Sequence, residues 1–578
     1  MSIPRPKEQL SRSLARALLD EASTGVSVVA AALVGLGLFV QIFGTGYLLG
    51  TSPYWSYPHG DAGMTLTGWS YFIHDGWHWP LGDTKLTNAP GGVNILFFDA
   101  IPGLAIPAKL LVPILGTSWH PYGLWHGAVY VLQAVFGALL VRRLGVRSLL
   151  GAVAAAVLCT TMSAFLMRFY HEDLNGQFVL LWALLNYARS VRATSTRSLI
   201  AGWVACLCAS LLIQPYLTAM VAPIAIAAHV RLAPQDRVRA LQSAAWAGAS
   251  LVVTWWAVGY VIPTPTDAEA ADFGATSMNL LSPLVPFHST LAPRALSTVA
   301  QDGTGFQWDG QNFLGVGVLA LLVLAVTTGA RTSLALVRRH KVLAGVLLAL
   351  AVYALGQRWY VGKHVLVDLS FVDGLPNALR TFRATGRFFW TVGYALALGS
   401  MVVVTRRFGR RGVVAAAVLA VLQLVDTSAS RSVISGAMAD PWEHYADWAT
   451  WQAVLPAYQK LAMYPSWYCW GAIDPGEPTL RAQREIELLA AQNGLATNHA
   501  RTGRVLTDCS LGQADPSALG ESGLAPDTLY VFLRPAYDED AIARVGKDHC
   551  AEFGGGWVCA RERPSLPSPM IFALHAAR

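Results

Sequence analysis

The chain has 578 residues, of which 54% are hydrophobic and 13% charged, with a mean hydropathy of +0.42. A soluble enzyme needs roughly 25% charged residues to cover itself, and a disordered chain has far fewer aliphatic and aromatic ones, so both classes are excluded in favour of a polytopic membrane protein. The formal charge of +7 belongs to the hydrophobic part, because the stretch from Ser430 onward holds 12 basic against 17 acidic residues. Its basic residues form short clusters between apolar runs, a pattern that orients helices in a membrane and makes no continuous nucleic-acid surface.

Arg5, Lys7, Arg12 and Arg16 precede an apolar run from about Val26 to Phe43, which reads as an uncleaved signal anchor behind a cytoplasmic, amphipathic N-terminus, residues 1–24. Further basic clusters at Arg142/Arg143/Arg147, Arg189/Arg192/Arg197, Arg231/Arg237/Arg239, Arg331/Arg338/Arg339/Lys341 and Arg406/Arg407/Arg410/Arg411 face the same side if the N-terminus does. Between them spans fall at about 25–44, 121–141, 148–166, 173–189, 198–213, 216–230, 242–262, 313–330, 342–356, 387–404 and 412–429, about eleven helices within 25–429. The pair at 198–230 turns through Gln214, Pro215 and Tyr216, where a re-entrant arrangement is the alternative. An odd number of crossings leaves 45–120, 262–312, 357–386 and 430–578 on the outer side. Ile101 to Gly116, broken by Pro102, Pro107 and Pro113, reads as interfacial helices.

Residues 430–578 form the expected outer domain. A helix over Thr479–Asn493 and strands over Thr528–Leu533 and Gly556–Ala560 indicate an α+β class. Cys159, Cys206 and Cys208 lie in spans as small apolar residues, while Cys469, Cys509, Cys550 and Cys559 all lie in this domain. In an oxidising compartment these four make two disulfides with three possible pairings, of which Cys550–Cys559 follows from proximity across a glycine turn, leaving Cys469–Cys509.

The residues able to carry chemistry lie at the outer ends of the spans. The first outer loop is dense in aromatics, glycine, proline and carboxylates: Asp61 between Gly60 and Gly63, then Trp69, Trp77, Trp79, Asp83, Asn94, Asp99 and Lys109. Aromatic faces stack on sugars and carboxylates accept from hydroxyls, so carbohydrate is the natural ligand; the alternative for the tryptophans is an interfacial belt. Arg168, His171, Glu172 and Asp173 crowd the connection between the third and fourth spans, where they either face a polar cavity or pair at a helix end. Arg380, Arg383 and Arg387 precede the tenth span on the outer side, against the positive-inside tendency, and call for an anionic partner such as a phosphate. Phosphate-loop, zinc-protease and dinucleotide fingerprints are missing from the sequence, which argues against an ATP-driven pump or a zinc protease.

With Asp61 shortly after the first helix, acidic residues in the second outer connection and an outer C-terminal domain, the chain resembles the GT-C superfamily of integral-membrane glycosyltransferases. More narrowly, Asp61, Gly68-Trp69, Trp79-Pro80-Leu81-Gly82, Pro90-Gly91-Gly92, Phe98-Asp99-Ala100-Ile101-Pro102, Lys109 and Tyr122-Gly123-Leu124-Trp125 resemble a bacterial polytopic family grouped with those enzymes. Arg168, His171-Glu172, Asn312-Phe313-Leu314-Gly315 and Phe382-Arg383-Ala384-Thr385-Gly386-Arg387 extend the likeness over about residues 25–430. The resemblance implies a multi-pass enzyme of the bacterial inner membrane with a periplasmic C-terminal domain. It would move a sugar, with inversion at the anomeric carbon, from a polyprenyl-phosphate donor to an envelope glycan or lipid acceptor. Asp61 becomes the general base, with His171 and Glu172 beside it. Arg383 and Arg387, with Arg168 or Lys109, would stabilise the departing phosphate, and Trp69, Trp79, Asp99 and Asp173 complete the substrate contacts. Because each lies at the outer end of a span and needs a partner there, Asp61, His171, Glu172, Arg383 and Arg387 are expected to converge on one cavity roofed by Trp69 or Trp79. No cofactor or metal is assigned, although the His171, Glu172 and Asp173 group leaves divalent-metal dependence open. The rival readings are a transporter or flippase for lipid-linked glycans and a non-catalytic assembly protein.

Overall fold

The computed structural model describes residues 18–564 apart from 57–59, 191, 193–194, 261–271, 298, 300, 375, 377–379, 440–443, 505–508, 510–522, 554 and 563. The expected amphipathic N-terminus lies outside the described residues as far as residue 17. The protein is mostly helical, 62%, with a sheet-containing C-terminal region.

A helix occupies each of the eleven segments expected from hydropathy: α1 Thr24–Leu48, α2 Tyr122–Arg143, α3 Leu149–Thr160, α4 Phe178–Ser190, α5 Thr196–Ile213, α6 Pro215–Leu232, α7 Arg237–Val258, α8 Val316–Arg339, α9 Lys341–Ala354, α10 Phe389–Phe408 and α11 Arg410–Asp426. Among the described residues six helices are long and apolar enough to cross a bilayer: α1, α2, α5, α6, α8 and Thr385–Phe408, which contains α10. A seventh exists if α11 and Ser428–Ala439, bent by 43°, act as one span; α3 and α9 are shorter apolar helices. Side chains that accept from the first-turn N–H groups start several of them: Ser23 for α1, Ser148 for α3, Ser195 for α5 and Asp236 for α7. Between α5 and α6, Gln214 is extended (φ −162°, ψ 129°) and Pro215 opens the next helix, so the chain turns there without a loop.

Small residues bring the helices together, as they must where no water drives apolar faces into contact. A Cβ on Gly35 of α1 would stand 2.4 Å from the Tyr130 carbonyl oxygen of α2, and one on Gly123 would stand 2.2 Å from the Tyr47 carbonyl. Ala31, Ala134, Ala138, Ala152 and Ala156 continue the seam into α3. Replacing Gly35 or Gly123 with any larger residue would force α1 and α2 apart.

The stretch Ile101–Gly116 forms two short helices, Pro102–Lys109 and Val112–Leu115, and leaves Leu110, Leu111, Ile114 and Leu115 exposed. In the C-terminal region five strands, β1 Lys460–Tyr464, β2 Ala496–Thr497, β3 Thr528–Leu533, β4 Cys550–Phe553 and β5 Gly556–Cys559, make one sheet in the order β2-β1-β3-β5-β4. β1 and β2 are parallel and joined by the helix Gly476–Gln492, while β5 pairs antiparallel with β3 and β4. The helix and the strands at 528 and 556 match the sequence reading; β1, β2 and β4 were not expected. Both cysteine pairs are within bonding distance, Cys550–Cys559 across the β4/β5 register and Cys469–Cys509 over a separation of 40 residues.

This domain is stitched to the first long loop. Residues 86–89 run beside β2: the Thr497 N–H donates to the Leu86 carbonyl (2.6 Å), the Ala89 N–H to the Thr497 carbonyl (2.8 Å), and the Thr87 hydroxyl to the His499 carbonyl (2.8 Å). The Gly503 N–H adds a bond to the Phe97 carbonyl (2.7 Å), and the buried hydroxyls of Tyr71 and Thr497 meet at 3.0 Å. At roughly 0.5–1.5 kcal/mol each, these bonds fix residues 496–504 against the loop helix Gly60–His74.

Candidate functional site

That docking encloses a cavity of about 620 Å³ lined by the first loop, the second connection, the α5–α6 break, the segment before α10 and the C-terminal domain. Asp61, in the first turn of Gly60–His74, lines it; a carboxylate there is favoured by the N-terminal end of the helix dipole. His171 Nε2 stands 2.5 Å from Asp61 Oδ2, Arg501 Nη2 stands 3.6 Å from Oδ1, and Arg501 also donates to the Gly60 carbonyl (3.0 Å). Burial alone would push the Asp61 carboxyl up, but the His171 charge and hydrogen bond, aided by Arg501 and Arg387, outweigh it and hold the group well below the usual carboxylate range. Asp61 is therefore a carboxylate throughout the neutral range, and its side chain keeps 36% exposure toward the cavity.

Arg387 reaches the same space from the other side. Its Nε and Nη2 each lie 3.2 Å from Asp309 Oδ2, and its guanidinium sits over the Tyr216 ring at 4.9 Å. Arg168 binds the other Asp309 oxygen and the Asp309 carbonyl, and stacks over Trp390. Two guanidiniums thus share one buried carboxylate, leaving a unit of positive charge behind the cavity wall. Arg383 and Arg504 line the rim, with Arg383 donating to the Gly503 carbonyl (3.3 Å) and Arg504 to the Thr381 carbonyl.

A second carboxylate group lies deeper. The Gln214 amide, aimed by the α5–α6 break, donates to Asp99 Oδ1 (3.1 Å) and to Asp173. Burial first, then the neighbouring Asp173 and Asp61 charges, drive the Asp99 carboxyl well above its ordinary value. Glu172, also outside the spanning helices, is fully buried and is pushed up to about 8 by burial and then by Asp173 and Asp61. Arg383, Arg387, Arg501 and Arg504 line the cavity against Asp61 and Asp99, an excess of cations that attracts an anion, and Trp467 and Tyr468 add aromatic surface beside it.

Of the residues singled out from sequence, Asp61, His171, Asp99, Arg383 and Arg387 line one cavity, and Arg168, Glu172 and Asp173 stand behind its wall. Trp69, Trp79 and Lys109 are not brought to it. Trp69 is buried with its indole donating to the Trp119 carbonyl, and Trp79 packs against Trp256 at the surface. The Lys109 ammonium is used up by the Asp75 and Gly76 carbonyls and the Phe72 and Trp77 rings. The roof that a first-loop tryptophan was expected to supply is occupied by Trp467, Tyr468 and Arg501, none of which sequence reasoning singled out; no local signal marks them. Among the described residues no three His, Cys, Asp or Glu side chains are grouped to hold a metal ion.

A comparison with curated proteins finds no significant match. Family models match at residues 32–428, described as a domain of unknown function (DUF6311), and at 450–561, described as the DUF6311 C-terminal domain. With the bundle and the sheet domain both covered, the chain belongs to the DUF6311 family.

Proposed function

We propose that the protein is a GT-C type glycosyltransferase that moves a sugar from a polyprenyl-phosphate donor to an envelope glycan or lipid acceptor. It would work at the outer face of a bacterial inner membrane, with about eleven crossings, a cytoplasmic N-terminus and a periplasmic C-terminal domain. The observation that carries this reading is the Asp61–His171 pair in a cavity ringed by arginines from separate parts of the chain. An acceptor hydroxyl gives its proton to Asp61 as its oxygen bonds to the anomeric carbon. The bond from that carbon to the phosphate oxygen breaks, and its electron pair leaves with the lipid phosphate, whose added charge Arg387, Arg383 and Arg501 face. Behind His171, Arg501 and Arg387 help to hold the Asp61 proton affinity down, and an anionic donor would neutralise both, so donor binding raises the basicity of Asp61 as catalysis needs it. His171 orients the carboxylate and carries part of the incoming charge.

The test is release of polyprenyl phosphate from radiolabelled polyprenyl-phosphate sugars by the purified chain in micelles with membrane glycan extract as acceptor. Asp61→Asn is expected to lower turnover by roughly 10²-fold or more while donor is still bound. Turnover within a few fold of the parent chain would remove Asp61 from the base role, and binding without any release would favour a carrier of lipid-linked glycans.

A further inference from the structure

At the opposite end of the bundle a second pocket of about 470 Å³ is lined by Arg142, Arg143, Arg147, Arg189 and Arg192, with Glu21 as the one carboxylate among its lining residues. We infer that this pocket binds the phosphate headgroup of an anionic membrane phospholipid, independently of whatever reaction the first cavity performs. The pocket is built by structure and is more than a loose patch of charge. Arg142 is fixed by bonds to the Ala22 (2.8 Å) and Arg147 (2.9 Å) carbonyls and the Ser27 hydroxyl (3.1 Å), and Arg143 by the Ala188 carbonyl (3.3 Å). Arg147 takes Glu21 at 3.1 Å, and the neighbouring Asp20 is taken by Arg410. Among the described lining residues five guanidiniums face one carboxylate, an excess of four positive charges that attracts an anion. Ser195 and Ser198 complete the lining at the first turn of α5, an 18-residue helix whose N-terminal N–H groups add to the attraction for phosphate.

Position argues for a lipid over a free anion. α2 runs from beside Glu172, whose carbonyl accepts from the Trp125 indole (2.7 Å), to this pocket in 22 residues, a rise of about 33 Å, close to the thickness of a bilayer's hydrocarbon core. The pocket therefore lies at the headgroup level of the leaflet away from the first cavity, between helix ends where basic residues collect. Its volume suits a headgroup with its glycerol and exceeds the need of a bare ion.

The experiment measures thermal stability and retained lipid, by native mass spectrometry, for the full chain in neutral micelles. The added probes are phosphatidylglycerol, diphosphatidylglycerol, phosphatidylcholine or inorganic phosphate. The two anionic lipids are expected to raise Tm and remain bound; phosphatidylcholine and inorganic phosphate are not. Arg189→Gln with Arg192→Gln should weaken the anionic-lipid affinity roughly 30-fold. Arg338→Gln with Arg339→Gln, an equal loss of charge elsewhere at this end, should leave it unchanged. If the double variant at 189 and 192 fails to fold, exposed Arg192→Gln alone is read, with an expected loss of roughly fivefold. An equal response to inorganic phosphate, an unaltered affinity in the pocket variants, or an equal loss in the control pair would each overturn the inference.

Discussion

Asp61 lines the cavity and Asp309 stands behind its wall, two aspartates with cationic partners in different surroundings. Both carboxyls are held below their ordinary range by neighbouring positive charge against the pull of burial. Asp309 is 5% exposed and has guanidinium donors on both oxygens, so its bonding capacity is spent on Arg168 and Arg387. Asp61 keeps 36% exposure, with one close partner and one arginine at 3.6 Å, and an open side faces the cavity. The same electrostatics leaves one carboxylate enclosed between two guanidiniums and the other open to the cavity; access, and not charge, separates them.

The largest effect that could break this contrast is Asp309→Asn. Removing the shared carboxylate leaves Arg168 and Arg387 facing each other without compensation, and the chain should lose about 3–5 kcal/mol of stability in a denaturant or thermal titration in micelles. A loss below about 1 kcal/mol would end the contrast. Arg501→Gln sharpens the other side: it removes a charge that faces Asp61 from the C-terminal domain, and donor binding should weaken about tenfold with KM changing more than kcat. A pure kcat effect would make Arg501 a positioning residue for Asp61. Smaller still, Asp61→Asn should change stability by less than about 1 kcal/mol, since partly exposed ion pairs contribute little. A loss as large as that of Asp309→Asn would erase the distinction. Last, Glu172→Gln should flatten the fall of stability with pH. The Glu172 carboxyl is held at about 8 in the folded chain, so between its ordinary 4.5 and 8 the folded state keeps a proton that the unfolded state has released. Its contribution to stability therefore falls as pH rises through that window and levels off above it. An unchanged slope for the glutamine variant across pH 5–8 would show that other groups set it.

The helices were legible because a bilayer imposes a coarse and repetitive demand: apolar runs bounded by arginines leave little freedom, and a helix begins within a few residues of each expected start. In the sheet domain β3 was legible as the apolar run Thr528–Leu533, whereas β1, Lys460–Tyr464, has no β-branched residue and β2 has two residues in all, so neither carries a strand pattern. In the site, Asp61, His171 and Arg387 stood out because charged groups at span ends need a reason to be there. Lys109 met the same criterion, yet its ammonium is satisfied by two carbonyls and two rings, an arrangement that only tertiary structure reveals. Trp467, Arg501 and Arg504 were invisible for the opposite reason. Each is ordinary for a sheet domain of mixed charge and acquires meaning only when β2 docks beside residues 86–89.

The bond from Thr87 to the His499 carbonyl joins positions 412 residues apart, which makes the cavity a late product of synthesis. The ribosome must add nearly the whole polypeptide after the first loop before the second half of the roof exists. Until then Asp61 lacks Arg501 and the loop lacks its neighbouring strand. A chain interrupted just before residue 496 would carry all eleven bundle helices and still lack the wall that Arg501 to Arg504 give the cavity, so completion of the polypeptide is a precondition for the site.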